Sequence, residues 1–261
     1  MSDEGELPPP PFKLTDNQYS LLDETDLVFI DPVSTGYSRA VDGQKPKDWH
    51  EFRKDIESVG DFIRLYTTRY NRWLSPKFLI GESYGTTRAA GLTGSLQERH
   101  GLYLNGLMLI SAVLDFTTIL FNTNNELPFI LFLPGYAATA WYHKKAGVGQ
   151  SLREFLEETE EFSRGEYASA LMKGDALPAE ERLHIVQELA RFTGLSTDFI
   201  ERTNLRIIDQ HFFKELLRDS GRMIGRLDSR FLGIDRLGVT ENAEYDPPAD
   251  QRDGTIYCGF L

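Results

Sequence analysis

Three short apolar runs constrain the fold of this chain more than any other feature: residues 27–30 (LVFI), 78–80 (FLI) and 106–112 (GLMLISA). Their apolar residues are continuous rather than alternating, which is typical of strands that helices cover on both faces, as in a parallel sheet. An apolar stripe at helical spacing, from Trp49 to Tyr70, separates the first two runs, and a second stripe separates the last two. This alternation of strands and helices predicts an α/β fold with right-handed crossovers.

Capping residues predict where several helices begin and end. Asp48, with Glu51 three residues later, is typical of a helix N-terminus and places the start of the first helix there. Ser151 with Glu154 repeats this pattern in the second half of the chain. Gly194 stands where a helix C-terminal glycine is expected.

The patterns divide the chain into three regions. Residues 1–115 carry the three predicted strands and form a partial α/β core. Residues 116–221 show helical periodicity with no strand between the helices, which predicts a helical insertion or second lobe. Residues 222–261 are rich in turn residues, and we expect them to return toward the core.

Composition excludes several classes of function. The chain has 28 basic and 40 acidic residues among 261, a net charge of -12, so a phosphate backbone would mostly meet like charge and nucleic acid is not an expected partner. Its longest apolar stretch, residues 127–133, is far shorter than a membrane span, so no membrane partner is expected either. Cys258 is the only cysteine, which excludes an intrachain disulfide. No metal-binding or phosphate-binding motif occurs, so we expect neither a metal nor a cofactor.

The pentapeptide Gly81-Glu82-Ser83-Tyr84-Gly85 fits the pattern of a nucleophile elbow. In an elbow the serine stands on a sharp turn between a strand and a helix, and flanking glycines, here Gly81 and Gly85, relieve crowding. The pattern lies between the 78–80 run and a helical stripe, so Ser83 would stand at the carboxyl end of a strand, where α/β proteins place their ligands.

From about residue 17 to residue 112 the chain resembles the serine carboxypeptidase family, a branch of the α/β-hydrolases, in a bacterial form. Two motifs carry the resemblance: residues 27–38 (LVFIDPVSTGYS), similar to the strand and glycine-containing loop ahead of the family's elbow, and the elbow with its glutamate before the serine. Residues 222–233 (RMIGRLDSRFLG) are also similar to bacterial members, and the helical region resembles the family's cap insertion.

The resemblance implies a role for each elbow residue. Ser83 would be the nucleophile that forms an acyl-enzyme, and the backbone N–H of Tyr84 would donate to the oxyanion. Glu82 would hydrogen-bond the free C-terminal carboxylate of a peptide substrate, which makes the expected activity the release of C-terminal residues. Two carboxyl groups that face each other must share a proton, so substrate should bind best in acid.

The triad acid and histidine are not identifiable in this chain. In α/β-hydrolases both follow the serine on loops after later strands, and none of the five histidines follows a late strand. His184 and His211 fall on amphipathic helices and are interpreted as packed or surface residues. We expect the acid and histidine beyond residue 261, early strands before residue 27, little triad-dependent activity of this chain alone, and poor solubility.

Two alternatives stay open. The chain could be a non-catalytic module that binds peptide C-termini, or an acyltransferase or hydroxynitrile lyase on the same scaffold. Residues 1–12 are acidic and proline-rich, without the features of a secretory signal, whereas the family resemblance implies a secreted or periplasmic protein.

Overall fold

A computed structural model describes residue 11 and residues 13–247. The chain is mostly helical, with a small two-stranded parallel sheet. It divides into two compact units, Met1–Ala112 and Val113–Leu261. Within the described residues, no helix combines the length and the apolar character needed to cross a bilayer.

The first unit contains helices and strands in alternation. In chain order they are α1 (Phe52–Arg69), β1 (Phe78–Glu82), α2 (Tyr84–His100) and β2 (Gly106–Ile110). β1 and β2 pair in parallel, with Phe78 opposite Gly106 and Glu82 opposite Ile110. The strands predicted at 78–80 and 106–112 are therefore confirmed, although the second ends two residues earlier than expected.

A small apolar core joins the helices of the first unit. Its buried residues are Ile56, Val59, Leu92, Leu96 and Leu102. α1 and α2 approach closely at Gly91, where a Cβ atom would lie 2.7 Å from Cζ of Phe52. This close approach brings the first turn of α1 to the middle of α2.

The predicted strand at residues 27–30 is wrong. This segment forms no strand, and Val28 and Phe29 are 44% and 68% exposed, while Ile30 packs against the small core. A strand needs a neighbouring backbone with which to exchange hydrogen bonds. An apolar run shows that a segment can be covered, but it does not supply that neighbour.

The predicted start of the first helix is also wrong, by a few residues. α1 begins at Phe52, and its N-cap is Glu51, whose side chain accepts a hydrogen bond from the N–H of Arg53. The preceding residues Pro46–Trp49 form a separate 3₁₀ turn. Asp48 thus lies in that turn rather than at the cap of α1.

The described residues of the second unit form six α-helices and a short hairpin. The helices are α3 (Leu127–Tyr142), α4 (Leu152–Phe162), α5 (Ala168–Lys173), α6 (Ala179–Thr193), α7 (Thr197–Arg202) and α8 (Asp209–Glu215). Two short strands, β3 (Met223–Ile224) and β4 (Leu232–Gly233), pair antiparallel. The prediction of consecutive helices with no strand between them is confirmed.

Buried aromatic residues and caps hold the second unit together. α3 packs against α4 and α6, and Phe155, Tyr167 and Phe192 are fully buried in the shared core. The capping box of Ser151 and Glu154 is present at the start of α4, as predicted. Gly194 ends α6 in the left-handed conformation expected of a C-terminal glycine (φ 69°).

Candidate active site

Ser83 has a strained backbone at the junction of β1 and α2. Its φ and ψ angles are 51° and −119°, a combination that residues other than glycine rarely adopt. The strand ends at Glu82 and the helix begins at Tyr84, so a single residue makes the whole turn. This is the strand–turn–helix geometry that a nucleophile elbow requires.

The two flanking glycines differ in what their surroundings demand. A Cβ atom on Gly81 would lie 2.1 Å from the carbonyl oxygen of Gly85 and 2.8 Å from the backbone nitrogen of Thr86, so only glycine fits there. A Cβ atom on Gly85 would meet nothing within 4 Å. Gly81 therefore has the spacing role that the pattern predicts for both, whereas Gly85 has room for a side chain.

The side chain of Ser83 is exposed and does not cap the helix that follows it. A serine at a helix N-cap normally has extended φ and ψ angles and accepts a hydrogen bond from the helix backbone. Ser83 makes no such bond because its backbone is turned away from that conformation. Instead, its N–H donates to the carbonyl of Ile110 (3.0 Å) and its carbonyl accepts from Thr86. The backbone is held at both ends while the hydroxyl is left without a partner among the described residues.

Tyr84 stands in the first turn of α2, where backbone N–H groups have no acceptor within the helix. This is the position from which its N–H could donate to a developing oxyanion. Its ring lies near Arg88, whose Cζ is 5.1 Å from the ring centroid. Partial burial and, to a smaller extent, the nearby Asp55 carboxylate raise the pKa of the Tyr84 hydroxyl.

Glu82 ends β1 with its side chain exposed, directly before Ser83. No ion pair joins it to another residue within the described part of the chain. The carboxylate is thus accessible to a ligand.

Each of the five histidines has a partner other than Ser83. In the first unit His50 lies 3.0 Å from the Ser34 hydroxyl, and His100 lies 3.4 Å from Asp61. The other three have partners within the second unit, namely the Ser229 carbonyl for His143, Glu166 for His184 and Glu241 for His211. Neither histidine of the first unit contacts Ser83 among the described residues.

Two residues at this site were missed by sequence analysis. Asp55 on α1 is only 5% exposed, and its carboxylate accepts a hydrogen bond from Nε of Arg88 at 2.8 Å. Arg88 lies four residues after Tyr84, a spacing that places both on one face of α2. The spacing was a usable signal, but nothing in the sequence indicates that Asp55 would lie opposite.

Comparison of the chain with protein-family models, curated proteins and solved structures found no match. The description of the site therefore depends on its own geometry. Within residues 13–247 there is no group of three or more histidine, cysteine, aspartate or glutamate residues that could hold a metal ion. Cys258 and the rest of the turn-rich segment after residue 247 lie outside the described residues.

Proposed function

We propose that the chain carries the nucleophile of a serine carboxypeptidase-like hydrolase, with the triad acid and histidine supplied from outside the described residues. The observation that supports this most is the backbone of Ser83, strained at a strand-to-helix turn with its hydroxyl free. Strain of this kind costs of order 1–3 kcal/mol and persists where a function uses it. An ordinary structural turn would favour glycine or a capping serine at this position.

The proposed chemistry assigns one step to each residue. Ser83 attacks the carbonyl of the last peptide bond and passes its proton to the histidine base, and the Tyr84 N–H donates to the oxyanion. The amine of the released residue leaves with the proton that the base returns, and water then hydrolyses the acyl-enzyme. Glu82 holds the free carboxylate of the peptide, which restricts cleavage to C-terminal residues.

Fluorophosphonate labelling tests the nucleophile directly. The purified chain is treated with the probe and analysed by intact mass, beside Ser83→Ala and Ser111→Ala. Ser111 is a matched control because it is also exposed, also has a positive φ (53°), and follows β2 as Ser83 follows β1. We expect slow labelling that Ser83→Ala abolishes and Ser111→Ala leaves unchanged. Labelling that persists in Ser83→Ala would contradict the proposal.

A second function, binding of peptide C-termini without cleavage, is favoured by one observation: both histidines of the first unit have partners other than Ser83. It predicts that peptides with a free C-terminus bind, that their amidated counterparts bind more weakly, and that neither is cleaved. Equilibrium binding with both peptides, followed by mass analysis for products, separates this function from hydrolysis.

A further inference from the structure

A buried carboxylate of α1 contacts the part of α2 that follows Ser83. Asp55 is 5% exposed and its Oδ2 atom lies 2.8 Å from Nε of Arg88, whose side chain is 24% exposed. Asp55 also stands in the first turn of α1, where the helix dipole favours a negative charge. The carboxylate is therefore stabilised by a charge-assisted hydrogen bond from Arg88 and by the dipole of its own helix.

The same carboxylate influences Tyr84. Tyr84 and Arg88 are four residues apart on α2, and the guanidinium carbon of Arg88 lies 5.1 Å from the Tyr84 ring centroid. Burial is the larger cause of the raised pKa of the Tyr84 hydroxyl, and the nearby Asp55 carboxylate is the second cause. One group on α1 thus engages two side chains in the first turns of α2.

The start of α2 needs a stabilising contact from another element. Ser83 does not cap the helix, so the usual stabilisation of the first turn is missing. The sharp turn before it is strained, and Gly81 approaches Gly85 closely. Without an external contact, the start of α2 could relax and release the Ser83 conformation.

We propose that Asp55 is a positioning residue: through Arg88 and Tyr84 it fixes the first turn of α2 and so holds position 83 against the helix N-terminus. Its meaning for catalysis rests on the proposed function of Ser83. The position of residue 83 can be measured without catalysis, because a group at a helix N-terminus has measurable properties whether or not a catalytic base is present.

A thiol at position 83 reports that geometry. In the full chain carrying Ser83→Cys and Cys258→Ser, alkylation by iodoacetamide as a function of pH gives the pKa of the single thiol. A helix N-terminus lowers a thiol pKa from its ordinary value of about 8.5. If the first turn moves away, that stabilisation of the thiolate weakens and the thiol pKa rises.

Asp55→Asn separates positioning from simple charge. Removal of a nearby negative charge would by itself lower the thiol pKa, whereas loss of positioning raises it. We expect a rise large enough to slow alkylation at pH 7 about threefold, with an unchanged circular dichroism spectrum. A thiol pKa that falls or stays the same in folded Asp55→Asn protein would overturn the proposal.

Arg88→Lys gives a milder test if Asp55→Asn does not fold. It keeps the positive charge but loses the planar guanidinium that bonds Asp55 and lies near Tyr84. We expect a smaller rise in the thiol pKa, and no rise would again overturn the proposal. Glu57→Gln is the matched control, because Glu57 on α1 pairs with Arg99 near the far end of α2 (3.1 Å) and its loss should leave the thiol unchanged.

Fluorophosphonate labelling of the chain with Ser83 intact keeps the two proposals distinguishable. If the chain is not labelled but the thiol responds to Asp55→Asn, the positioning role holds and the nucleophile proposal fails. If labelling depends on Ser83 but the thiol does not respond, the positioning role fails alone.

Discussion

Ser83 occupies a conformation that glycine adopts at lower cost, which makes one substitution at this residue informative. We expect Ser83→Gly to raise the free energy of unfolding by about 1 kcal/mol, because it relieves the strain of a positive φ, and to abolish probe labelling. Urea unfolding of the purified variant measures the change.

Ser95→Gly is the control for that substitution. Ser95 lies inside α2, so the same replacement should lower the free energy of unfolding by about 0.5–1 kcal/mol. Equal effects of the two substitutions would show that Ser83 carries no strain.

The contrast between Gly81 and Gly85 gives a second prediction at the residue scale. Gly81→Ala would place a Cβ atom 2.1 Å from the Gly85 carbonyl, so the backbone of the turn must move, and we expect a loss of about 3 kcal/mol or more. Gly85→Ala meets nothing within 4 Å and should be neutral or slightly stabilising, because alanine favours the helix. Thermal unfolding of the pair decides this, and a similar loss in both would contradict the described turn.

The proposed role of Glu82 predicts that ligand binding depends on pH. A carboxyl group that holds a peptide carboxylate must share one proton with it, so a peptide with a free C-terminus should bind more tightly at pH 5 than at pH 8. In Glu82→Gln this difference should nearly vanish, because an amide can donate to the carboxylate at either pH. Binding that strengthens steadily toward pH 8 in the unmodified chain would rule out the role of Glu82, and the amidated peptide serves as the control ligand.

At the scale of single elements, the capping box of α4 should carry a measurable share of stability. The Ser151 hydroxyl accepts from the N–H of Glu154, and the Glu154 side chain accepts from the N–H of Ser151. We expect Ser151→Ala to lower the free energy of unfolding by about 1 kcal/mol. Ser111→Ala is the control, because Ser111 is exposed and lies outside the helices.

The helix ends at Ser151 and Gly194 and the strands β1 and β2 could be predicted from the sequence, whereas the start of α1 and the structure of residues 27–30 could not. The capping box at Ser151 and the glycine at Gly194 act within a single helix turn, so their patterns are sufficient. The run at 27–30 has the composition of a strand but no neighbouring backbone to pair with. At the site, the elbow is a local motif, whereas Asp55 meets Arg88 only through packing of α1 on α2.

For the molecule as a whole, buried tyrosines predict a loss of stability in alkali. Burial raises the pKa of Tyr136 and Tyr167, whose hydroxyls donate to the carbonyls of Ile207 and Leu205. In the unfolded chain tyrosines ionise near pH 10, so above that pH the native state binds more protons than the unfolded state and stability falls. We expect these tyrosines to leave the free energy of unfolding unchanged below about pH 10 and to lower it steeply above that pH. Urea unfolding at a series of pH values measures this change.

Tyr167→Phe tests the source of that loss. Its free energy of unfolding at pH 7 should fall by about 1 kcal/mol, because the Leu205 carbonyl loses its donor, but its decline above pH 10 should be shallower. Tyr37→Phe is the control, since Tyr37 is 99% exposed and its replacement should alter neither value. An equally steep decline in Tyr167→Phe would place the alkaline loss elsewhere.

The parts that shape the elbow, β1, α2 and β2, follow one another directly along the chain. Contacts between near neighbours in sequence form quickly, because little loop entropy is lost in closing them. We therefore expect the strain at Ser83 to be incurred early, while this segment folds, so that it raises the folding barrier as well as the equilibrium cost. Relief of that strain by glycine should therefore speed refolding rather than only slow unfolding.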